Sequence, residues 1–211
     1  NMYGLKDNVA RKAGTMGKEE NKEMEFWTQE EFQAFLDCVA DKPISYYAFE
    51  MLYWTGIREG ELLALTPADF NFEKKTLRIN KSYQRLEGED VITDPKTPKS
   101  NRTIVMPDFL VIEMEDFIKS IYGIKMNDRI FTISKSYLHH EMNRGTKLAG
   151  VKRIRIHGLR HSHISLLINL GFSALAIGER VGHEVVDIQE TTLIPWTWMC
   201  GILMCWTARD G

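Results

Sequence analysis

The sequence has no long apolar run and few cysteines, and both features exclude classes of protein before any motif is considered. No apolar run approaches the roughly 18 residues that a membrane-spanning helix needs, because Pro195 and Gly201 interrupt the longest candidate, residues 193–206. The cysteines are too few and too widely spaced for a disulfide framework or a four-ligand zinc site: Cys38, Cys200 and Cys205. We therefore expect a cytoplasmic protein that does not act at a membrane.

The chain also lacks an excess of positive charge, because 29 Asp and Glu residues oppose 27 Lys and Arg residues. Overall charge gives no support for nucleic-acid binding, and any such case depends on local clustering. One cluster exists, since acidic residues are absent from 142 to 178. We expect this span to face a negatively charged ligand. Its basic residues are Arg144, Lys147, Lys152, Arg153, Arg155 and Arg160.

The apolar pattern predicts a mostly α-helical domain with a small three-stranded antiparallel β-sheet, an α+β fold. Apolar residues recur at helical spacing in most of the chain, whereas residues 76–106 alternate as strands do. Thr28 and Glu31 have the spacing of a capping box ahead of the first helix. Residues 1–25 are polar and without periodicity, as linkers are.

The most informative stretch is residues 157–163, which open a helix. His157 and Arg160 lie three positions apart, so they should project from one face of that helix. The dipole and the free amides at a helix N-terminus favour an anion. Arg160 can hold two phosphate oxygens at once, and His157 offers a donor near neutral pH.

A second arginine stands in an unusual place. Residues 55–65 indicate a glycine turn that leads into a helix, with Arg58 in the first helical turn. A positive charge there opposes the helix dipole, which suggests another role. Glu61, three residues on, can reach back to orient Arg58 or to cap the helix. An ordinary salt-bridged helix start would explain the same pattern.

A short basic segment lies between two of the predicted strands. Lys96 is bracketed by Pro95 and Pro98, and Lys99 follows. Lysines at such a tip are usually only solvated. Because proline restricts the backbone, however, Lys96 can be held in a fixed direction.

Taken in order, these segments resemble the boxes of the tyrosine recombinase catalytic domain, the phage-integrase type. Residues 55–62 resemble the first box, residues 95–104 the lysine hairpin, residues 157–162 the second box and residues 181–183 the final Gly-His pair. Each motif alone is weak, but the four follow one another in the family's order and spacing over residues 26–188. The positions that match the family's site residues are Arg58, Lys96, His157, Arg160 and His183, with Glu61 in support.

The resemblance implies a reaction on DNA that needs neither a metal ion nor another cofactor. Arg58, Arg160, His157 and His183 would surround a scissile phosphate, and Lys96 would protonate the departing 5′ oxygen. A tyrosine hydroxyl would attack phosphorus and form a 3′-phosphotyrosyl intermediate. The implied partner is a double-stranded DNA recombination site, bound by a homo-tetramer. Such integrases serve DNA integration and recombination in phages and other mobile genetic elements, so a bacterial or phage origin is expected.

One part of the family pattern is missing. The nucleophile would fall at Thr192 or Leu193, and every tyrosine lies upstream of His157. Codons for residues 192–194 can be written so that reading from one base earlier gives Tyr-Ser-His. We hypothesise that a frameshift after Thr191 produced an aberrant tail; a tail that evolved for a partner is the alternative. Either way, we expect no DNA cleavage by this chain, and a monomer.

The resemblance also divides the chain into three parts. On this resemblance we expect residues 1–25 to be the linker from a missing N-terminal DNA-binding domain. Residues 26–190 correspond to the catalytic domain, and residues 191–211 to the aberrant tail.

Four other interpretations compete with this one. Metal-dependent hydrolysis by His157, His161 and His163 lacks the intervening Glu of a zinc-protease motif and an evident third ligand. A type IB topoisomerase would share the phosphate-binding residues and the mechanism. A DNA-binding module without catalysis would bind DNA with a steep salt dependence and no covalent adduct. An α-rich domain with an accidental basic helix would have no function of this kind.

Overall fold

The computed structural model describes residues 25–93 and 101–182. Within these ranges the chain is mostly helical, as the apolar pattern predicts. A three-residue 3₁₀ turn, Pro67–Asp69, separates the first helices from the strands. The helices are α1 (Gln29–Val39), α2 (Pro43–Thr55), α3 (Glu59–Leu62), α4 (Asp108–Ser120), α5 (Lys135–Ala149), α6 (Gly158–Asn169) and α7 (Ala174–Val181).

The described strands form two antiparallel sheets rather than one. The strands are β1 (Phe70–Asn71), β2 (Thr76–Ile79), β3 (Ser82–Leu86), β4 (Glu89–Thr93) and β5 (Arg102–Val105). The three-stranded sheet has the order β1-β2-β5, in which Leu77 pairs with Ile104, while β3 and β4 form a separate hairpin. The predicted α+β class is confirmed.

The predicted membership of the sheet is wrong, because the strands within residues 76–106 were expected in one sheet, whereas residues 82–93 form a separate hairpin and β1 joins the sheet instead. Lys81 explains the break after β2. Its ammonium group lies 2.6 Å from the buried carboxylate of Asp69 and 3.0 Å from the Thr66 hydroxyl. This anchor turns the chain out of the sheet before β3 begins. The short strand β1 takes the remaining edge of β2.

The start of the described chain is tied to α6. Thr28 caps α1 and exchanges hydrogen bonds with Glu31, so the predicted capping box is confirmed. The preceding Trp27 is buried, and its backbone amide donates to the Ser162 hydroxyl at 2.8 Å. Its indole nitrogen donates to the Lys152 carbonyl at 2.7 Å. These contacts fix α6, which carries Arg160, against the main core.

That core lies between α1, α2 and the helices that follow the sheet. Phe32 stacks on Tyr53 with ring centroids 3.8 Å apart, and Phe35 meets Phe49 edge to face at 4.8 Å. A smaller apolar cluster joins α6 to α7. In the part of the chain that the structure describes, no helix is both long and apolar enough to span a membrane.

One buried acid in this core lies beside a second acid. Glu50 of α2 is only 4% exposed and lies against Glu113 of α4. One oxygen of each carboxyl group is buried without a hydrogen-bond donor. Burial first, and then the neighbouring Glu113, raise the pKa of Glu50 to about 9. Glu50 therefore keeps its proton at neutral pH in the folded protein and loses it on unfolding.

Stability should consequently fall as pH rises from the ordinary glutamate pKa towards 9. We expect Glu50→Gln, which is neutral at every pH, to raise the free energy of unfolding at pH 8 by about 1–3 kcal/mol. The gain should shrink towards pH 5, where the wild-type carboxyl group is protonated in the folded state and partly protonated in the unfolded state. Thermal unfolding at both pH values measures the difference. Glu115→Gln, on α4 and paired with exposed Lys119, should change stability by less than about 1 kcal/mol. Equal losses at both pH values for Glu50→Gln would contradict this account.

Candidate active site

The predicted glycine turn after α2 brings the first and second boxes together. Gly56 has a left-handed backbone with φ of 65° and ends α2. A Cβ atom at this position would lie 2.5 Å from Cδ2 of His163 on α6, so a larger residue would both strain the backbone and clash. The Gly56 carbonyl accepts a hydrogen bond from Nη1 of Arg160 at 2.5 Å. The glycine thus allows α2 to end directly against α6.

Arg58 precedes α3 and is held by Glu61. Oε2 of Glu61 accepts from the Arg58 backbone amide at 2.8 Å, which caps the helix. Oε1 accepts from Nη1 of Arg58 at 2.9 Å, which orients the guanidinium group. Glu61 therefore makes both of the contacts that its spacing from Arg58 allows. The Arg58 side chain remains 37% exposed, so a ligand can reach it.

Arg160 is the opposite case, because it is only 1% exposed. Nη1 donates to Gly56, Nη2 donates to the Val181 carbonyl, and the buried Nε has no partner among the described residues. Burial first, and then the charges of Arg58 and Arg102, lower the pKa of Arg160 to about 9. It therefore stays charged at neutral pH. Its charge is only partly compensated by protein groups.

The start of α6 differs from the prediction in one respect. The amides of residues 158–160 donate to the carbonyls of residues 155–157 at 2.8–3.1 Å. The expectation of free amides at this helix start is therefore wrong, because the preceding turn already uses them. His157 is exposed at the N-cap, and its ring meets that of His161 edge to face at 4.9 Å. An anion here would be bound by side chains.

Three arginines converge on the end of α7. The carbonyls of residues 180, 181 and 182 accept, in that order, from Arg102, Arg160 and Arg58. The first bond measures 2.8 Å and the last 3.5 Å. A helix C-terminus carries partial negative charge, which favours cations there. The backbone that leads into position 183 is therefore fixed from three different elements.

Two arginines in this region were not predicted from the sequence to be functional residues. Arg102 forms a two-pronged ion pair with Glu61, at 3.1 and 2.9 Å. A signal was present, since Arg102 shares the inward face of β5 with Ile104. A charged residue at an inward strand position requires a buried partner.

The second is Arg180, on the last turn of α7. Its Nε donates to Nε2 of His163 at 3.0 Å, and its other nitrogens donate to the carbonyls of Val105 and Trp54. Burial first, and then the charges of Arg180 and Arg160, lower the pKa of His163 to about 3. His163 is therefore neutral and acts as an acceptor. No local pattern reveals this contact.

Glu61 is ionised although it is buried, because Arg102 and Arg58 stabilise its negative charge. Burial alone would raise the pKa of Glu61, but the hydrogen bonds and charges of Arg102 and Arg58 outweigh it and lower the pKa.

Within residues 25–93 and 101–182, no three His, Cys, Asp or Glu side chains are grouped so that they could hold a metal ion. His163 is engaged by Arg180. The described geometry therefore gives no support to a three-histidine metal site.

The remaining predicted site residues cannot be placed. Lys96, His183 and the expected nucleophile position at Thr192 lie outside the described residues. The proposed linker, residues 1–25, lies outside them except for Glu25, and so does the tail, residues 191–211.

Comparisons with known proteins identify integrases whose sequences are similar to this chain. The ICEBs1 integrase of Bacillus subtilis (strain 168) is 29% identical over 194 residues, which cover 85% of this chain and 51% of that protein. The integrase of Staphylococcus phage L54a is 30% identical over 167 residues, which cover 71% of this chain and 46% of that protein. The chain thus spans about half the length of the curated relatives it matches.

The fold is shared with solved recombinases. The Tn1549 transposon integrase, in complex with transposon right end DNA, matches 87% of this chain and 66% of its own, with a TM-score of 0.72 and 19% identity. XerA recombinase matches 85% of this chain and 62% of its own, with a TM-score of 0.66 and 18% identity. Residues 25–192, most of the chain, match the model of the phage integrase family. The resemblance drawn from the four boxes is therefore confirmed, and this chain belongs to the phage integrase family.

Proposed function

We propose that this chain is the catalytic domain of a site-specific DNA recombinase, the integrase of a phage or other mobile element. One observation carries the proposal. Arg58 and Arg160, which are far apart in sequence, donate to the carbonyls of the adjacent residues 182 and 181. Their guanidinium groups are therefore close enough for both charges to act on one phosphate group. The names of the relatives, integrases of mobile elements and phages, support this function.

In the proposed reaction the protein supplies charge and proton transfer. Arg58, Arg160, His157 and His183 neutralise the phosphate as its charge grows in the in-line transition state. Lys96 gives a proton to the departing 5′ oxygen while a tyrosine hydroxyl loses its own and bonds to phosphorus. The bond energy is kept in the 3′-phosphotyrosyl link, so a second strand can be joined by the reverse step. Neither step requires a metal ion or a cofactor.

The proposed partner is a double-stranded DNA recombination site. Support comes from the solved neighbours, among which the Tn1549 integrase is in complex with transposon DNA and XerH recombinase is bound to its difH substrate. Further support comes from the unequal exposure of the two arginines. Arg58 is reachable, while buried Arg160 adds charge from beneath. Such a pocket fits a phosphate that approaches from one side.

We also propose that this chain does not complete the reaction, because it has no tyrosine at the family position. Several tyrosines in the described residues have other engagements, although Tyr122 is exposed. The hydroxyl of Tyr83 donates to Asp90, that of Tyr137 lies 2.8 Å from the Ser45 hydroxyl, and Tyr53 is buried. Burial raises the pKa of Tyr53 further above its ordinary value. The family match ends at residue 192, where the frameshift hypothesis places the change in reading frame.

The altered tail also bears on assembly. In the recombinases that this chain resembles, tetramers are held together by exchange of C-terminal segments. If the tail does not have the family sequence, that exchange is lost. We therefore propose that the chain is monomeric, in contrast to the tetramer of the intact family. Proteins of this kind act where DNA is, so we propose the cytoplasm as its location.

Phosphate binding by Arg58 can be tested by salt dependence. We expect Arg58→Ala to weaken binding of a labelled 30-base-pair duplex about three- to tenfold and to reduce the slope of log affinity against log salt by about one. Glu61 keeps its ion pair with Arg102, so the substitution leaves no buried charge unpaired. Fluorescence anisotropy at several salt concentrations measures both values.

The matched control removes one positive charge elsewhere. Lys119 is 67% exposed on α4 and contacts only Glu115 among the described residues. We expect Lys119→Ala to leave affinity and slope within about twofold of the original chain. Equal losses for the two variants would mean that net charge, not a phosphate pocket, governs binding.

The missing nucleophile can be restored. We expect the triple substitution Thr192→Tyr, Leu193→Ser and Ile194→His to produce a covalent adduct with DNA that survives SDS. A pool of duplexes with a randomised central region avoids the need to know the target. The unaltered chain, and the triple variant that also carries Arg58→Ala, should form no adduct. An adduct from the unaltered chain would show that another side chain is the nucleophile.

The frameshift hypothesis makes a prediction about the gene as well. Read from one base earlier, the codons for residues 192–194 should give Tyr followed two positions later by His. Sequencing of the coding DNA through residues 185–211 tests this directly. If no frame contains such a tyrosine, the tail is genuine and the chain is a DNA-binding relative of the recombinases.

A further inference from the structure

We infer that Arg102 is a positioning residue of the phosphate pocket, which acts through Glu61 on the guanidinium group of Arg58. This inference rests on the proposed function, because it concerns the same pocket. Arg102 itself is not proposed to touch DNA. Its role is to fix the orientation of the Arg58 side chain through Glu61.

The first support is the geometry of the ion pair. The Arg102 side chain is only 6% exposed, as is that of Glu61. Nη1 donates to Oε1 at 3.1 Å and Nη2 to Oε2 at 2.9 Å. Both carboxylate oxygens are therefore held in one plane by a fork that only arginine offers. The same two oxygens also receive the amide and the guanidinium group of Arg58.

The second support is that Arg102 has a further fixed contact. Its Nε donates to the Arg180 carbonyl at 2.8 Å, at the end of α7. Arg102 thus joins β5, Glu61 and α7 in a single bonded unit. Lysine has the charge but not the planar fork, so it cannot keep both prongs on Glu61 while it contacts α7.

The third support is the dependence of Arg58 on Glu61. Arg58 is partly exposed, and its guanidinium group contacts Glu61 at 2.9 Å and the Gly182 carbonyl at the limiting distance of 3.5 Å. Glu61 is therefore the stronger of its two anchors. If Arg102 no longer fixed the carboxylate, Glu61 could rotate towards Arg58 or accept a proton. In either case the guanidinium group of Arg58 would no longer be held in its present orientation.

A double-mutant cycle in the full 211-residue chain tests the inference. Affinity for a labelled 30-base-pair duplex is measured for the original chain, Arg102→Lys, Arg58→Ala and the double variant. We expect Arg102→Lys to weaken binding about five- to tenfold although net charge is unchanged. In the Arg58→Ala background the same change should cost less than about twofold, because its target is gone.

The matched control is a similar ion pair away from the pocket. Arg129 likewise contacts a carboxylate and a backbone carbonyl, because its Nη2 donates to Asp90 at 2.9 Å and its Nη1 to the Leu63 carbonyl at 3.3 Å. Arg129→Lys should lower the unfolding temperature, as Arg102→Lys does. It should leave affinity for DNA unchanged. A role of Arg102 in stability alone predicts that the two variants behave alike in both measurements.

A second variant covers the case in which Arg102→Lys does not fold. Glu61→Gln keeps the shape of the side chain and removes its negative charge. Bulk electrostatics predict tighter binding of DNA, because the chain becomes more positive. The inference predicts weaker binding, again only when Arg58 is present.

The outcomes separate the two levels of the proposal. If Arg58→Ala does not weaken binding, the proposed phosphate pocket fails. If Arg58→Ala weakens binding while Arg102→Lys does not, or if Arg102→Lys costs the same factor with and without Arg58, only the role of Arg102 is overturned. Tighter binding by Glu61→Gln overturns it as well.

Discussion

The ionised carboxylate of Glu61 is the interaction on which the site depends. An isolated charge in a protein interior costs several kcal/mol, so a buried carboxylate must be matched by donors. Glu61 is 5% exposed and receives donors from Arg102 and from both the backbone and the side chain of Arg58. Because these donors lower its pKa, it stays charged and in turn fixes both arginines. The capping of α3 and the direction of Arg58 are two consequences of one ion pair.

The same region concentrates positive charge around few negative groups. Burial first, and then the charges of neighbouring arginines, lower the pKa values of Arg160 and Arg180. Glu61 and the carbonyls at the end of α7 offset part of this charge. The remainder is what a phosphate group would neutralise. The cluster thus stores repulsion that an anionic ligand would relieve, which favours binding without any metal ion.

Local patterns in the sequence predicted the parts of this arrangement that depend on neighbours in the chain. The capping box at Thr28, the glycine turn at Gly56 and the reach of Glu61 to Arg58 each involve residues a few positions apart. The order of the four boxes then identified the family, although Lys96 and His183 lie outside the described residues and their roles stay predictions.

Contacts between distant segments could not be predicted in this way. The ion pair of Arg102 with Glu61 and the bond from Arg180 to His163 join different elements, and no spacing rule reveals them. The same limit explains the sheet, because alternation marks residues 82–93 as strands but does not say which strands they pair with. The amides at the start of α6 were expected to be free, and only the structure reveals the preceding turn that uses them.

The central claim is that Arg58 and Arg160 face a common phosphate. It is tested most directly by NMR of the arginine side-chain Nε–Hε groups while a short duplex is added to the labelled chain. The account predicts that the signals of Arg58 and Arg160 shift together, at the same DNA concentration, while that of Arg129 stays in place. If DNA binds and neither signal moves, the phosphate is held elsewhere and the proposed site is wrong.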